Sequence, residues 1–114
     1  MRIAAYITGM TEAIALLAAL SEPTRLAAVR LLTDGGEHCV CELMYQLGAT
    51  QSRMSRHMAT LKAVGLVSDR RDAQWVRYRI RNDMPPETRA VIDAVLAMPA
   101  REMPVRADSF RSVA

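Results

Sequence analysis

The sequence predicts a mainly α-helical domain closed by one small β-hairpin, and three observations lead there. Five segments repeat apolar residues at helical spacing, one stretch after Gly65 changes to strand-like alternation, and glycine or proline marks most of the changeovers. A chain of 114 residues suits one compact domain and is too short for a large multidomain enzyme. Two cysteines are too few for a disulfide-dense secreted scaffold, and a 51% hydrophobic composition excludes a wholly disordered chain.

The elements follow in order. Residues 13–20 read as a short helix with Ile14, Leu17 and Ala18 in one stripe. Ser21-Glu22-Pro23 restarts the chain, with Ser21 as cap and proline in the first turn. The second helix covers 23–33, with Leu26, Val29 and Leu32 inward, and Asp34-Gly35-Gly36 ends it. A third, 39–47, carries Val40, Leu43, Met44 and Leu47 at i, i+3, i+4 and i+7. After Gly48, Thr50 caps a fourth helix over 51–64, which Gly65 closes. Val76, Tyr78 and Ile80 then alternate with Arg77 and Arg79 as in a strand, with 66–70 as partner across residues 71–74. Pro85-Pro86 opens a last helix, 87–98, with Val91, Ala94, Val95 and Met98 on one face. Residues 1–11 read as an N-terminal extension, 12–98 as the folded domain, and 99–114 as a mobile tail. Two helices around a tight glycine turn, the second basic, followed by a basic hairpin, describe a winged helix-turn-helix.

Charge is unevenly placed. Residues 51–81 hold eight basic side chains against two acidic ones, a net +6, while seven arginines and ten acids elsewhere give −3, together the overall +3. One basic segment in an otherwise acidic chain fits a polyanion-binding surface, although a solvated face looks the same from charge alone. On the fourth helix Met54, Met58, Leu61 and Val64 share the buried arc. Ser52, Arg53, Ser55, Arg56, Ala59 and Thr60 face away, a polar surface small enough at its centre to enter a major groove. Gln51, Ser52 and Arg53 also lie at the helix N-terminus, where free N–H groups favour phosphate. His57 falls on the apolar arc and reads as a core or phosphate-touching histidine rather than a base reader. In the hairpin Arg70, Arg71, Gln74 and Arg77 are placed to straddle the DNA backbone, and Trp75 and Tyr78 are assigned to packing.

The N-terminus has no convincing secretory cleavage site, and 13–20 is too short to span a bilayer. The expectation is a cytoplasmic, reduced protein with both thiols free. Those thiols form Cys39-Val40-Cys41 at the start of the third helix. Helical residues two apart point ~200° around the axis, whereas extended residues two apart share a side. The pair therefore chelates one soft ion only if the first turn is unwound or badly distorted, and ion binding would compete with an intact helix. Two buried structural cysteines are the alternative.

These residues resemble the ArsR/SmtB family of metal- and metalloid-responsive repressors, most of all its arsenical-resistance members. Glu37-His38-Cys39-Val40-Cys41-Glu42-Leu43 is similar to the family's E-L-C-V-C-D-L box, and Ser55-Arg56-His57-Met58 through Leu61, then Gly65-Leu66-Val67, to its recognition-helix signature. Leu20 to Leu26 resembles its entry motif, and Asp69-Arg70-Arg71 with Trp75-Val76-Arg77-Tyr78 its wing. The resemblance implies a homodimer joined through the first and last helices, assigned here to Ile14, Leu17, Val91, Ala94, Val95 and Met98. It implies binding to double-stranded operator DNA, release when As(III) or Sb(III) binds Cys39 and Cys41, and no catalytic activity.

Departures refine this. Met44 stands where a third cysteine often occurs, so two protein sulfurs plus a solvent or small-molecule ligand are expected. The last helix has Glu87 and Asp93 but no histidine, which argues against the family's other zinc site, and Ala73 replaces the usual wing glycine. Two thiolates without further strong ligands favour a thiophilic trigonal ion over tetrahedral zinc. Competing readings are a sensor of thiol oxidation, reactive sulfur, or Cd(II)/Pb(II) with help from His38, and a constitutive DNA-binding protein. A thiol–disulfide oxidoreductase is disfavoured, because the chain lacks the βαβ pattern and C-x-x-C of a thioredoxin-like enzyme.

Overall fold

A computed structural model describes residues 3–98, with side chains from Met10 onward. The tail expected over 99–114 lies outside the described residues. Helix α1, Ile3–Leu20, is ten residues longer than the sequence pattern predicts. No proline interrupts 3–12, and Gly9 alone costs a helix only about 1 kcal/mol.

Helix α2, Pro23–Leu31, is capped by Glu22 rather than by Ser21. Proline at the first helical position forces the preceding residue into extended geometry, and Glu22 has φ −108° and ψ 129°. Its carboxylate accepts the Arg25 N–H at 2.8 Å, while the Ser21 hydroxyl donates back to Ala18 O at 2.9 Å. The predicted tail of this helix is a 3-10 turn, Leu32–Asp34, closed by Gly35 at φ +80°.

A two-residue strand β1, His38–Cys39, follows, then α3, Val40–Leu47, and α4, Gln51–Ala63. Between the last two, Gly48 takes φ +65° and the Thr50 hydroxyl accepts the Arg53 N–H at 3.3 Å, as the turn chemistry predicts. The hairpin is β2, Val67–Asp72, and β3, Trp75–Ile80, so its turn is the two residues Ala73-Gln74 rather than four. Ala73 supplies the positive φ, +58°, that such a tight connection needs. The antiparallel sheet has the order β1-β3-β2. Helix α5, Pro86–Ala97, completes the described chain.

One cluster of buried side chains holds these elements together. Val29, Leu32, Leu43, Met54, Met58, Leu61 and Leu66 are wholly removed from solvent, each contributing about 1.5–3 kcal/mol. The predicted inward stripes of α3 and α4 are the observed ones. On α5 the buried residue is Ile92, outside the predicted stripe. Among the described residues, no helix is long and apolar enough to cross a membrane.

Candidate nucleic-acid interface and cysteine site

The outward face of α4 assembles largely as its sequence suggests. Gln51, Ser52, Arg53, Arg56 and Ala59 are exposed, and Ser55 and Thr60 are half-buried at its margins. The Thr60 hydroxyl donates to Arg56 O at 3.2 Å, so its proton is already committed. No carboxylate lies within ion-pair distance of Arg53 or Arg56 among the described residues, which leaves both guanidinium groups available to an external anion.

His57 turns away from that face. Its Nδ1 lies 3.2 Å from an Arg25 guanidinium nitrogen and 3.9 Å from Glu22 Oε1. Arginine can only donate, so Nδ1 accepts and the neutral ring carries its proton on Nε2. Burial pushes the His57 pKa below its ordinary value, against the pull of Glu22 and with the repulsion of Arg25, Arg56 and Arg53. Arg25 also donates from Nε to Ala19 O at 2.7 Å and from Nη2 to Ala18 O at 3.2 Å. These carbonyls belong to the last turn of α1, which has no basic residue of its own. Arg25 thus ties α1 to α2 and α4.

The wing arginines divide into held and unheld. Arg70 donates from Nε and Nη2 to the two carboxylate oxygens of Glu37, at 2.9 and 2.6 Å, and this pairing holds the Glu37 carboxyl below its usual range. Arg77 donates to Asp72 Oδ2 at 3.0 Å. Arg71 and Gln74 are exposed, as is Arg79, which alternation places on the same face as Arg77 and which sequence reasoning missed. Tyr78 is buried in the core as expected, but Trp75 is 43% exposed. The packing assignment fails for Trp75 because it shares the outer sheet face with Arg77 and Arg79. Tyr45 on α3, 88% exposed, was also missed, and it lines an open concavity with Gln46, Thr50 and Arg53.

The cysteine pair departs from expectation in two respects. The sulfurs are joined in a disulfide between Cys39 and Cys41 rather than standing as free thiols. Nor does their meeting require an unwound helix, because α3 begins one residue later than predicted. Cys39 is the N-cap, extended at φ −66° and ψ 145°, and its sulfur accepts the Cys41 N–H at 3.2 Å. That geometry folds the Cys39 side chain back over the first turn, where Cys41 projects; Cys39 is buried and Cys41 exposed. His38 beside them is committed to carboxylates on both nitrogens, Asp34 at 2.8 Å and Glu42 at 3.0 Å. The Asp34 hydrogen bond, supported by Glu42 and opposed by burial, raises the His38 pKa. Met44 is half-buried, and among the described residues no three His, Cys, Asp or Glu side chains are grouped to hold a metal ion.

On α1, Met10, Ile14 and Leu17 form an exposed apolar stripe at i, i+4 and i+7; Met98 is exposed beyond α5, where Ala94 is also exposed and Val91 and Val95 are half-buried.

A basic helix-turn-helix with a basic wing defines the class: a winged helix-turn-helix DNA-binding regulator. The chain belongs to the arsR family of bacterial regulatory proteins, whose pattern matches residues 22–69. It is 42% identical over 77 residues to the arsenic resistance transcriptional regulator ArsR2 of Pseudomonas putida, spanning 68% of this chain and 67% of that one. It is 42% identical over 74 residues to the arsenical resistance operon repressor of Escherichia coli, spanning 65% and 63%. The matches thus leave about a third of each relative's length unaccounted for. Reduced HlyU from Vibrio cholerae has a similar structure, with a TM-score of 0.69, 31% identity, and coverage of 84% of this chain and 97% of that one.

Proposed function

We propose that this chain is a repressor that binds operator DNA as a homodimer in the cytoplasm and is released when As(III) or Sb(III) binds Cys39 and Cys41. The observation that carries the reading is the meeting of the two sulfurs at the N-terminus of α3, the first helix of the helix-turn-helix. As dithiol, the same two sulfurs suit a thiophilic ion: arsenous acid and two thiols give two As–S bonds and two waters, leaving one hydroxide on arsenic. The exposed stripe of Met10, Ile14 and Leu17, with Met98, supports association of two chains, and a palindromic operator demands two recognition helices. Operator contacts are assigned to Gln51, Ser52, Arg53, Ser55 and Arg56 on α4, with Arg70, Arg71, Gln74 and Arg77 on the wing.

A second reading draws on the disulfide itself. Peroxide and two thiols give a disulfide and two waters, so the same pair also serves as an oxidation sensor.

The test uses a duplex selected by the protein from a random-sequence pool and followed by fluorescence anisotropy. Under a phosphine reductant, arsenite should weaken binding by about tenfold, within the usual range of allosteric coupling. Cys39→Ser, which keeps a capping side chain, and Cys41→Ser, at an exposed position, should each bind the duplex normally and ignore arsenite. Unchanged wild-type affinity in arsenite overturns the metalloid reading, and release by peroxide alone establishes the second.

A further inference from the structure

The strand register places the cysteine site and the wing arginines in one row. Cys39 pairs with Arg77 across β1 and β3, and Arg77 pairs with Arg70 across β3 and β2. Directly opposed residues share a sheet face, and two strand spacings put the Cys39 and Arg70 backbones about 10 Å apart. Glu37, two residues before Cys39, closes this row into a loop. Its carboxylate grips Arg70 through two parallel hydrogen bonds across 33 residues of sequence. The segment that bears the sensing thiol is therefore tied to the wing twice, by backbone pairing and by one bidentate ion pair.

We propose that Glu37 is a positioning residue that couples the cysteine pair to the wing, holding Arg70 in a place that changes when the pair is loaded. The proposal rests on the reading of Cys39 and Cys41 as the sensing site. It adds a route for the signal through the sheet, beside the packing of α3 on α4 within the helix-turn-helix. It also gives Glu37 a role in the unloaded protein, where it competes with phosphate for the Arg70 guanidinium. Glu37 touches neither the ion nor the DNA in this scheme; it acts only through Arg70.

Glu37→Gln keeps the side-chain shape and removes the charge that holds Arg70. Arsenite binding to the free variant, followed by sulfur-to-arsenic absorbance, should match wild type. On the selected duplex, the factor by which arsenite weakens binding should shrink by about threefold, the scale of one well-formed surface ion pair. Arg70→Gln should shrink it likewise, and the double variant no further. Equal factors in wild type and Glu37→Gln overturn the coupling.

A second measurement needs no arsenite. Freeing Arg70 for phosphate should steepen the salt dependence of duplex binding by about one unit of log K against log salt. That increment should vanish in the Arg70→Gln background, and an unchanged slope overturns the competition for Arg70. If wild type itself fails to respond to arsenite, the metalloid reading falls, and the salt slope alone decides whether Glu37 holds Arg70.

Discussion

Replacing Arg25 by lysine keeps the charge and removes the fork. In the native chain the guanidinium donates to Ala19 O at 2.7 Å and Ala18 O at 3.2 Å while also meeting His57 Nδ1 at 3.2 Å. A lysine ammonium is a point charge on a flexible stem and cannot reproduce three donors fixed in a plane. Hydrogen bonds from charged groups contribute about 1.5–3 kcal/mol each, and partial exposure with mutual non-additivity brings the sum here to about 2 kcal/mol. For a domain of this length that is a fall in Tm of roughly 8 °C. Urea unfolding followed by circular dichroism measures the loss, at one protein concentration because dimerisation would shift the midpoint. Arg25→Lys within about 0.5 kcal/mol of wild type would refute the assignment of Arg25 as the tie between α1, α2 and α4.

Three other outcomes follow from the same structure. Ala73→Gly relieves the positive φ of +58° in the wing turn and should stabilise the chain by about 0.5–1 kcal/mol, read as a higher urea midpoint; a lower one counts against the turn geometry. Arg56→Ala should weaken duplex binding and reduce the salt slope by about one while leaving arsenite binding to the free protein intact, whereas unchanged DNA affinity removes Arg56 from the interface. His57 has a pKa lowered from 6.5 by burial, so its stabilising contribution is present above pH 6.5 and lost as pH falls toward the folded value. Against His57→Gln, wild type should therefore lose extra stability on acidification, and parallel curves refute it; His38, with a raised pKa, acts in the opposite direction and cancels in the comparison.

How much of this was legible depended on whether a signal was periodic. The buried arcs of α3 and α4 and the Gly48-Thr50 turn follow from apolar spacing and capping chemistry, because Leu43, Met54, Met58 and Leu61 leave no other face to bury. The strand β1 left no trace, since two residues are too few to alternate and β1 exists only through its pairing with β3. Glu22 displaced Ser21 as cap because the constraint from Pro23 outweighs the better capping propensity of serine. Charge counting located the basic segment but not its bookings: Arg70 and Arg77 are held by Glu37 and Asp72, the first of them outside that segment. The outward position of Trp75 is readable from its parity with Arg77 and Arg79 on β3, whereas its aromatic character alone points to packing.

The start of α3 bears on how large a response the cysteine pair can produce. With Cys39 inside the helix the sulfurs would diverge by ~200°, and any shared ligand would have to melt a turn. With Cys39 as N-cap they meet while α3 stays whole, so what a ligand disturbs locally is the hydrogen bond from Cys41 N–H to Cys39 Sγ. A helix cap contributes only ~1 kcal/mol, a factor of about five in an equilibrium, so the cap alone falls short of a tenfold release. The shortfall has to be met by elements packed against this end of α3, α4 and the sheet among them. The backbone pairing of β1 with β3 and the Glu37–Arg70 pair are the ones that join Cys39's segment to the wing. A response of tenfold or more in wild type, cut back but not abolished in Glu37→Gln, is therefore the outcome expected when the wing carries part of the signal and the packing of α3 on α4 the rest.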